Sequence, residues 1–183
     1  MYQLEESIKN IIKYSFSSSI NNTIHIGYGI DNNYVRCCST SIVSFCENNP
    51  HQNFHFHIVS SSLTKDSINK LKALAQQHNI NINIYIIDNT YFNKLPTQKA
   101  FPISMYFRFL LPVLNKNLSK IVYVDADIIC LNNIQELLSI NLENNIIAAV
   151  PDTKDMNQSR NNALNLKNHI YFNSGMLLIN IQE

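Results

Sequence analysis

The chain has 183 residues, a length that suits one domain with a short appendage. Hydrophobic residues make up 45% of it and charged residues 15%, a composition that is typical of a globular protein and excludes a disordered one. The net charge is +1, from 14 basic and 13 acidic residues, so we expect no nucleic-acid partner held by bulk attraction to phosphates. Four cysteines without a CxxC pair argue against a disulfide scaffold or a zinc ribbon.

The amino-terminal segment, residues 1–22, is predicted to be a helical appendage to a domain that covers residues 23–183. The apolar residues of MYQLEESIKNIIKYSF recur at helical spacing, which predicts an amphipathic helix over residues 3–14. We expect this helix to pack on the domain, with contact to a membrane surface as the alternative. Glu5 and Glu6 stand where a signal peptide needs positive charge, and no stretch reaches the roughly 18 apolar residues of a membrane span. A cytoplasmic protein is therefore expected.

Hydrophobic patterns in the first half of the chain predict three strands separated by two helices. Thr23–Gly29 (TIHIGYG) alternates and stops at a glycine, and residues 34–47 then show partial helical spacing. Asn53–Ser60 (NFHFHIVS) alternates cleanly and predicts the second strand. Residues 64–78 have the clearest helical pattern of the chain, and Asn81–Ile87 (NINIYII) is the third predicted strand.

The second half of the chain continues the alternation with shorter elements. Residues 104–114 predict a helix that Pro112 bends or ends. The apolar run KIVYVD, residues 120–125, is typical of a buried parallel strand. The remaining predicted elements are a helix over 134–138, a strand over 146–150 and a last strand over 176–181.

The order of these elements predicts an α/β fold with a mostly parallel sheet and helices on both faces. Ligands of such sheets bind outside the carboxyl ends of the strands, so the residues that follow the strands are the candidates for a site. The polar run TKDMNQSRNNALNLKN, residues 153–168, lies between two predicted strands. We interpret it either as a mobile lid over such a site or as a solvated surface loop.

The first predicted strand runs into GYGIDNNY, which holds two of the three glycines of the chain. In a chain so poor in glycine, this suggests unusual backbone torsions or close approach of the backbone to a ligand. Asp31, Asn32 and Asn33 offer hydrogen-bonding groups for a ribose or a base, and Tyr34 offers a ring for stacking. The alternative is an Asn-rich turn that caps the next helix, and the absence of GxGxxG gives no dinucleotide fingerprint.

Asp125 and Asp127 end the most apolar of the predicted strands. Two carboxylates two residues apart in an extended chain lie on the same side, and burying such a pair beside a hydrophobic sheet is costly without compensation. Mg²⁺ or Mn²⁺ would supply that compensation, because both prefer hard oxygen ligands and commonly share their coordination with a phosphate. The alternative is a polar turn in which Asp127 caps the residues that follow.

Two further polar residues stand at predicted element ends. Asn173, in YFNSG before the last strand, could present its amide to a sugar hydroxyl or a metal shell, or it could belong to a tight turn. Arg108 stands among apolar neighbours in MYFRFLL and therefore needs a fixed partner. That partner is a structural carboxylate, a phosphate or an aspartate of the acidic pair.

His55 and His57 alternate on the second predicted strand and so could imitate a pair of zinc ligands. A zinc site needs further ligands, and none lies near these two in the sequence. We therefore interpret them as core or surface histidines.

Five segments together resemble glycosyltransferase family 8, and in particular its bacterial lipopolysaccharide core glucosyl- and galactosyltransferases. They are IHIGYGIDNNYV, FHFHIVS, SMYFRFLLP, KIVYVDADIIC and YFNSGMLLIN, in this order over about residues 23–181. Each motif is weak alone, but five in register are specific. The resemblance implies a GT-A (Rossmann-like) fold and a retaining, metal-dependent transferase. Its substrates would be UDP-glucose or UDP-galactose and a lipopolysaccharide core or other glycan acceptor.

The resemblance also implies roles for individual residues. Asp125 and Asp127 would bind Mn²⁺ or Mg²⁺, and no residue of the chain stands out as a catalytic nucleophile. The residues implied to bind the UDP-hexose are Gly29, Asp31, Asn32, Asn33 and Tyr34 around the uridine, with Arg108, Asp125, Ala126 and Asn173 at the sugar or its supporting network.

The chain departs from the family pattern at its end. Family members continue beyond the NSG strand into a His-containing stretch, followed by Gly, Lys, Pro and Trp, that completes the metal shell. None of the six histidines fits that stretch and the chain has no Trp, so we expect a chain that is truncated at its carboxyl end and lacks the family's C-terminal segments. Weak nucleotide binding and little or no transfer by this chain alone are the expected consequences.

Two alternatives to an active transferase stay open. One is a catalytically inactive GT-A remnant that at most binds nucleotide. The other is a nucleotidyltransferase-like enzyme, which also uses paired carboxylates and Mg²⁺. The early loop disfavours the second class, because it has no Arg or Lys before Arg36. For the location, the resemblance adds peripheral contact with the inner membrane as an alternative.

Overall fold

The computed structural model describes residues 4–17, 22–98, 102–166 and 169–182. Seven strands form one sheet in the order β1-β4-β3-β2-β5-β7-β6. The strands are β1 (Ile8–Ser15), β2 (Thr23–Gly29), β3 (Asn53–Ser60), β4 (Asn81–Ile87), β5 (Lys120–Val124), β6 (Ile147–Pro151) and β7 (Phe172–Asn180). The helices are α1 (Val35–Asn48), α2 (Lys65–Gln77), α3 (Leu110–Leu114), α4 (Gln135–Ser139) and α5 (Lys154–Ala163), with a long 3₁₀ helix over Ile103–Phe109.

The sheet is mixed, with a parallel centre and antiparallel flanks. The central strands β4, β3, β2 and β5 are parallel, as the alternation of strands and helices predicts. The flanking strands β1, β7 and β6 pair antiparallel. Because β7 runs against β5, Val124 at the end of β5 pairs with Met176 in the middle of β7, and the first half of β7 continues beyond β5. The carboxyl ends of β2 and β5 therefore meet the beginning of β7 at one edge of the sheet.

Two hydrophobic layers cover the sheet, one on each face. Alternate residues of the strands, such as Ile26 and Phe56, form one layer with α1 and α2. The intervening residues, such as Tyr123, pack under the segment formed by the 3₁₀ helix and α3. Among the described residues, no helix has both the length and the apolar character that a membrane crossing would need.

The helix predicted over residues 3–14 is wrong, because Ile8–Ser15 is the edge strand β1. It pairs antiparallel with β4, with Ile12 opposite Ile84. Asn81 extends this pairing, since its side-chain oxygen accepts hydrogen bonds from the backbone NH groups of Phe16 and Ser17 at 3.0 and 3.1 Å. A helix of this length is marginal by itself, and strand pairing with β4 outweighs the helical spacing.

The helix predicted over residues 104–114 is a 3₁₀ helix as far as Phe109, and only Leu110–Leu114 is α-helical. Pro112 lies in the first turn of α3, where a missing NH group is tolerated, so it neither bends nor ends a longer helix.

This segment explains the two glycines of β2. None of the three glycines has a positive φ, so the expectation of unusual torsions is wrong. A Cβ at Gly29 would lie 3.0 Å from the carbonyl oxygen of Ser104, and one at Gly27 would lie 2.4 Å from Leu111. The glycines therefore allow the 3₁₀ helix and α3 to pack closely on the sheet, and a protein segment accounts for the close approach.

The polar run 153–168 is largely helical, so its interpretation as a loop is wrong for most of its length. Thr153 caps α5 by accepting a hydrogen bond from the NH group of Met156 at 3.4 Å. The helix is short and polar, and none of its residues is buried. It connects the edge strand β6 to the neighbouring strand β7. It contains few apolar residues, so its helical periodicity does not show in the sequence.

Three histidines meet on the face of the sheet that α3 covers. His25 on β2 pairs in register with His55 on β3, and the rings of His55 and His57 stack with centroids 4.5 Å apart. His25 Nδ1 lies 3.0 Å from His57 Nε2. The sequence therefore correctly placed two histidines on one strand, but it gave no sign of the third, which comes from the neighbouring strand.

Burial and the nearby imidazole of His55 lower the pKa of His25 from 6.5 to about 4. Its other neighbour in the cluster is His57, and Lys13 lies near His55. Between about pH 4 and pH 6.5, His25 therefore binds a proton in the unfolded chain but not in the folded chain. Stability is therefore lost as pH falls from about 6.5 towards about 4.

We expect His25→Asn to flatten this dependence, because the variant removes one group that protonates on unfolding. Urea unfolding at about pH 7.5 and about pH 5 measures the difference for the wild type and the variant. His51→Asn is the matched control, since His51 is exposed and lies outside the cluster. An equal loss of stability in the wild type and His25→Asn would show that His25 does not cause it.

Candidate active site

A cleft of about 720 Å³ opens at the edge of the sheet where β2 and β5 end and β7 begins. Gly29 reaches it from β2, Asp125 and Asp127 from the end of β5, and Asn173 from the start of β7. The 3₁₀ helix contributes Arg108, and α5 closes another side. This is the edge at which parallel α/β sheets bind ligands.

Arg108 ties three elements together beneath this cleft. It is 9% exposed, and its guanidinium lies 3.2 Å from Asp125 Oδ1. It also donates hydrogen bonds to the carbonyl oxygen of Ser174 and, at 2.8 Å, to that of Met105. The fixed partner that the sequence required is therefore Asp125, the first aspartate of the acidic pair.

Tyr123 completes this network. Its hydroxyl donates a hydrogen bond to Asp125 Oδ1, and the guanidinium carbon of Arg108 lies 4.4 Å from the centre of its ring. Burial raises the pKa of Tyr123 well above its usual value, and the carboxylate of Asp125 raises it further, against the opposing effect of Arg108. The phenol therefore stays protonated and remains a donor to Asp125.

Asn173 lies in a bulge at the start of β7, where its side chain closes a turn onto Gly175 without a positive φ at either residue. Ala149 of β6 pairs with Leu177, but the next residue, Val150, pairs with Asn173, so β7 carries extra residues at this point. Asn173 Oδ1 accepts a hydrogen bond from the NH group of Gly175 at 2.8 Å. The carbonyl oxygen of Gly175 accepts a hydrogen bond from the NH group of Asp125 at 2.7 Å, which joins this bulge to the end of β5.

The carboxylates of Asp125 and Asp127 both line the cleft, although not for the reason that the sequence suggested. The strand ends at Val124, and residues 126–127 form a turn, so the two aspartates do not lie on one side of an extended chain. Ala126 between them is buried, while Asp127 is exposed. The turn itself brings both side chains to the cleft.

The residues around this pair fit a divalent cation. Arg108 and Tyr123 both contact Asp125 Oδ1. A Cβ at position 175 would lie 3.0 Å from Asp125 Oδ2, so Gly175 leaves space beside the second oxygen. Carboxylate oxygens with open space around them suit Mg²⁺ or Mn²⁺.

The last residue of β2 and the loop that follows it have three different roles. Gly29 and Tyr34 line the cleft. Asp31 caps the turn before α1, because its carboxylate accepts hydrogen bonds from the NH groups of Asn33 and Tyr34 at 2.8 and 3.3 Å. Asn32 Oδ1 accepts hydrogen bonds from the start of α2, and Asn32 and Asn33 line a second depression of about 510 Å³. The predicted alternative of an Asn-rich turn with a helix cap is therefore correct for Asp31.

Several residues of the cleft were not identified from the sequence, and four of them carry functional groups or come from α5 and its approach. Tyr123 lies two residues before Asp125, so the alternation of a strand could have pointed to it. Asp152, Met156 and Arg160 come from the end of β6 and from α5, in or beside the run that was interpreted as a lid or a loop. The sequence would have pointed to Arg160 only if that run had been predicted to be a helix.

We expect Arg108→Met to lower the free energy of unfolding by about 2 kcal/mol, because it removes charge-assisted hydrogen bonds that join the 3₁₀ helix to β5 and β7. Arg108→Met combined with Asp125→Asn should recover part of the loss, since no unpaired carboxylate remains. Urea unfolding measures both variants, with the exposed Arg160→Met as control. Wild-type stability of Arg108→Met would contradict a structural role for this network.

Comparison with known proteins identifies the family. The family model for glycosyl transferase family 8 matches residues 25–183. A lipopolysaccharide 1,2-glucosyltransferase of Escherichia coli is 34% identical over 164 residues, which are 88% of this chain and 48% of the relative. A lipopolysaccharide 1,3-galactosyltransferase of Salmonella typhimurium is 32% identical over 186 residues, which are 98% of this chain and 55% of the relative. This chain thus spans about half the length of these relatives.

The solved structures show the same fold. The crystal structure of the galactosyltransferase LgtC with donor and acceptor sugar analogs superposes with a TM-score of 0.80 at 22% identity, over 87% of this chain and 58% of that one. The expected GT-A architecture is therefore confirmed as a mixed sheet flanked by helices. Since the family model covers nearly all of its sequence, this chain belongs to glycosyl transferase family 8.

Proposed function

We propose that this chain forms the nucleotide-sugar-binding part, residues 23–183, of a retaining hexosyltransferase. Its donor would be UDP-glucose or UDP-galactose, and its acceptor a lipopolysaccharide core or another glycan. The names of the relatives from Escherichia coli and Salmonella typhimurium support this choice of hexose and acceptor. Because a lipopolysaccharide acceptor carries lipid, a cytoplasmic enzyme with peripheral contact at the inner membrane is part of the proposal.

One observation carries the proposal: Asp125 and Asp127 share a single cleft with Gly29 and Asn173, which come from two other strands. The cleft lies at the carboxyl ends of adjacent parallel strands, where α/β folds bind nucleotides. Its volume of about 720 Å³ is of the size that small-molecule ligands occupy.

The charges of the cleft support dependence on a divalent cation. Its described lining carries three carboxylates, from Asp125, Asp127 and Asp152, and two guanidinium groups, from Arg108 and Arg160, which gives a net charge of −1. A UDP-sugar is itself an anion, so such a lining opposes its binding. A bound Mn²⁺ or Mg²⁺ would reverse the sign of the site to +1, which favours a diphosphate.

Asp125 and Asp127 would hold that ion, which supplies electrostatic stabilisation of the charge that develops on a departing diphosphate. Arg108 and Tyr123 would orient Asp125 through Oδ1. The exposed Arg160 would contact a phosphate from the opposite side of the cleft. No residue is proposed as a nucleophile.

The proposed donor site keeps most of the residues that the resemblance implies, namely those that line the cleft. Tyr34, 45% exposed at the cleft, would stack on the uracil ring. Asp31 and Asn32 would act indirectly, because their side chains fix the loop by capping. The residues proposed to bind the UDP-hexose within the cleft are Gly29, Tyr34, Arg108, Asp125, Ala126 and Asn173. Asn33, which the resemblance also implies, lines the second depression beside the cleft loop.

We expect Asp127→Asn to abolish the Mn²⁺-dependent part of UDP binding, because it removes a charged ligand of the ion without removing an observed structural hydrogen bond. Asp125→Asn should do the same, with an added loss of stability from the Arg108 network. Isothermal titration calorimetry with and without Mn²⁺ measures both effects. Asp66→Asn is the matched control, since Asp66 is exposed on α2 and pairs with Lys70. UDP binding that is equally strong in Asp127→Asn and the wild type would rule out the proposed metal role.

We expect this chain alone to transfer little or no hexose. Asp125 and Asp127 offer the ion two carboxylates, and phosphate oxygens and water would have to fill its other positions, so its affinity should be low. A transfer assay with radiolabelled UDP-glucose and UDP-galactose measures turnover. Robust turnover would contradict this expectation, whereas UDP binding without turnover would agree with the alternative of an inactive remnant.

A further inference from the structure

We propose that His25, His55 and His57 form a binding site for one divalent transition-metal ion of the kind that imidazole ligates, such as Zn²⁺. One nitrogen of each ring lies within 4.8 Å of one nitrogen of the other two. Tetrahedral zinc with bonds of about 2.0–2.1 Å would place its ligand nitrogens about 3.4 Å apart. Side-chain rotations that move each ring nitrogen by about 1 Å would therefore bring all three nitrogens within bonding distance of one ion.

The hydrogen bonds of His57 leave the required lone pair on Nε2. The hydroxyl of Tyr85 accepts a hydrogen bond from Asn83 at 3.2 Å and donates its own proton to Asn115 Oδ1 at 3.4 Å. Its remaining lone pair faces His57 Nδ1 at 3.1 Å, so Nδ1 carries the proton of this ring. The lone pair of Nε2 therefore points towards His25.

His55 is prepared in the same way. It forms a hydrogen bond with Asn83 that stabilises its charged form, so the ring donates there. Its Nε2 is buried and has no hydrogen-bond partner. An unpaired buried nitrogen is costly in a folded protein, and ligation of a metal would remove that cost.

His25 supplies the third nitrogen. In the absence of metal, its Nδ1 donates to His57 Nε2 across 3.0 Å. Ligation through Nδ1 requires only that the proton of this neutral ring moves to Nε2, so binding neither releases nor consumes a proton. Tyr85 and Asn83 would serve as the outer hydrogen-bond partners that orient metal-bound histidines.

The surroundings of the cluster favour neutral ligands. Burial lowers the pKa of all three histidines, to about 4 for His25. Lys13 is the opposing charge, because it lies close enough to lower the pKa of His55. Removing it should tighten metal binding.

This site is separate from the acidic cleft in position and in chemistry. His25 precedes Gly29 by four residues on β2, which corresponds to about 13 Å along a strand. Imidazole nitrogens select zinc-like ions, whereas the carboxylates of the cleft select Mg²⁺ or Mn²⁺. A metal at the histidines would join β2 to β3 and would not need a nucleotide.

Titration of the 183-residue chain with Zn²⁺ tests the proposal, and Co²⁺ reports the geometry through its visible absorption. We expect one ion per chain with the spectrum of a tetrahedral site, in which three histidines and one water molecule are the ligands. Binding should be lost in His25→Asn and His55→Asn, retained in His51→Asn, and weakened about 10- to 100-fold in Tyr85→Phe. Lys13→Ala should bind more tightly than the wild type.

Any of three results would overturn the proposal. The first is the absence of Zn²⁺ binding by the wild type. The second is binding by His25→Asn and His55→Asn that equals that of the wild type, when circular dichroism shows that both variants are folded. The third is loss of Zn²⁺ binding in Asp127→Asn, which would place the ion in the acidic cleft. If the histidine variants do not fold, ¹⁵N spectra of the wild-type imidazoles decide, because three rings must change on addition of Zn²⁺. Failure of UDP binding would leave this result unaffected.

Discussion

The ion pair between Arg108 and Asp125 is the interaction on which the candidate active site depends. Asp125 stands at the end of β5, and its carboxylate is compensated before any ligand arrives, by the guanidinium of Arg108 and the hydroxyl of Tyr123. The same guanidinium binds the carbonyl oxygen of Ser174 in the bulge of β7. One side chain thus fixes the 3₁₀ helix, β5 and β7 relative to one another, and all three border the cleft.

Close packing of the 3₁₀ helix and α3 on β2 makes this arrangement possible. The helical segment can carry Arg108 under the cleft only because Gly27 and Gly29 present no side chain to it. Gly175 has the corresponding role on the other side, where it leaves space beside Asp125 Oδ2. The three glycines of the chain therefore all serve the approach of elements around this cleft, and none of them supplies a left-handed turn.

One face of the sheet carries polar chemistry at both of its ends. Asp125 and the bulge of β7 lie at the carboxyl ends of the parallel strands, with hard oxygen ligands. The three histidines lie nearer the amino ends of β2 and β3, with nitrogen ligands. The buried side chains of this face, such as Tyr123 of β5 and Leu111 of α3, form its hydrophobic layer. Two metals of different chemistry would thus find separate places on one face.

The sequence by itself determined the central strands, the first two helices and their order, because alternation and helical spacing are properties of neighbouring residues. It also identified Asp125 and Asp127 as a pair at a strand end and Arg108 as a residue in need of a partner. Tertiary structure alone decided that Ile8–Ser15 is a strand, since its pairing partner β4 lies some 70 residues away in the chain. Likewise, Arg108 met Asp125 and His25 joined His55 and His57 only through packing and strand pairing. Such contacts depend on residues distant in sequence, which no local pattern records.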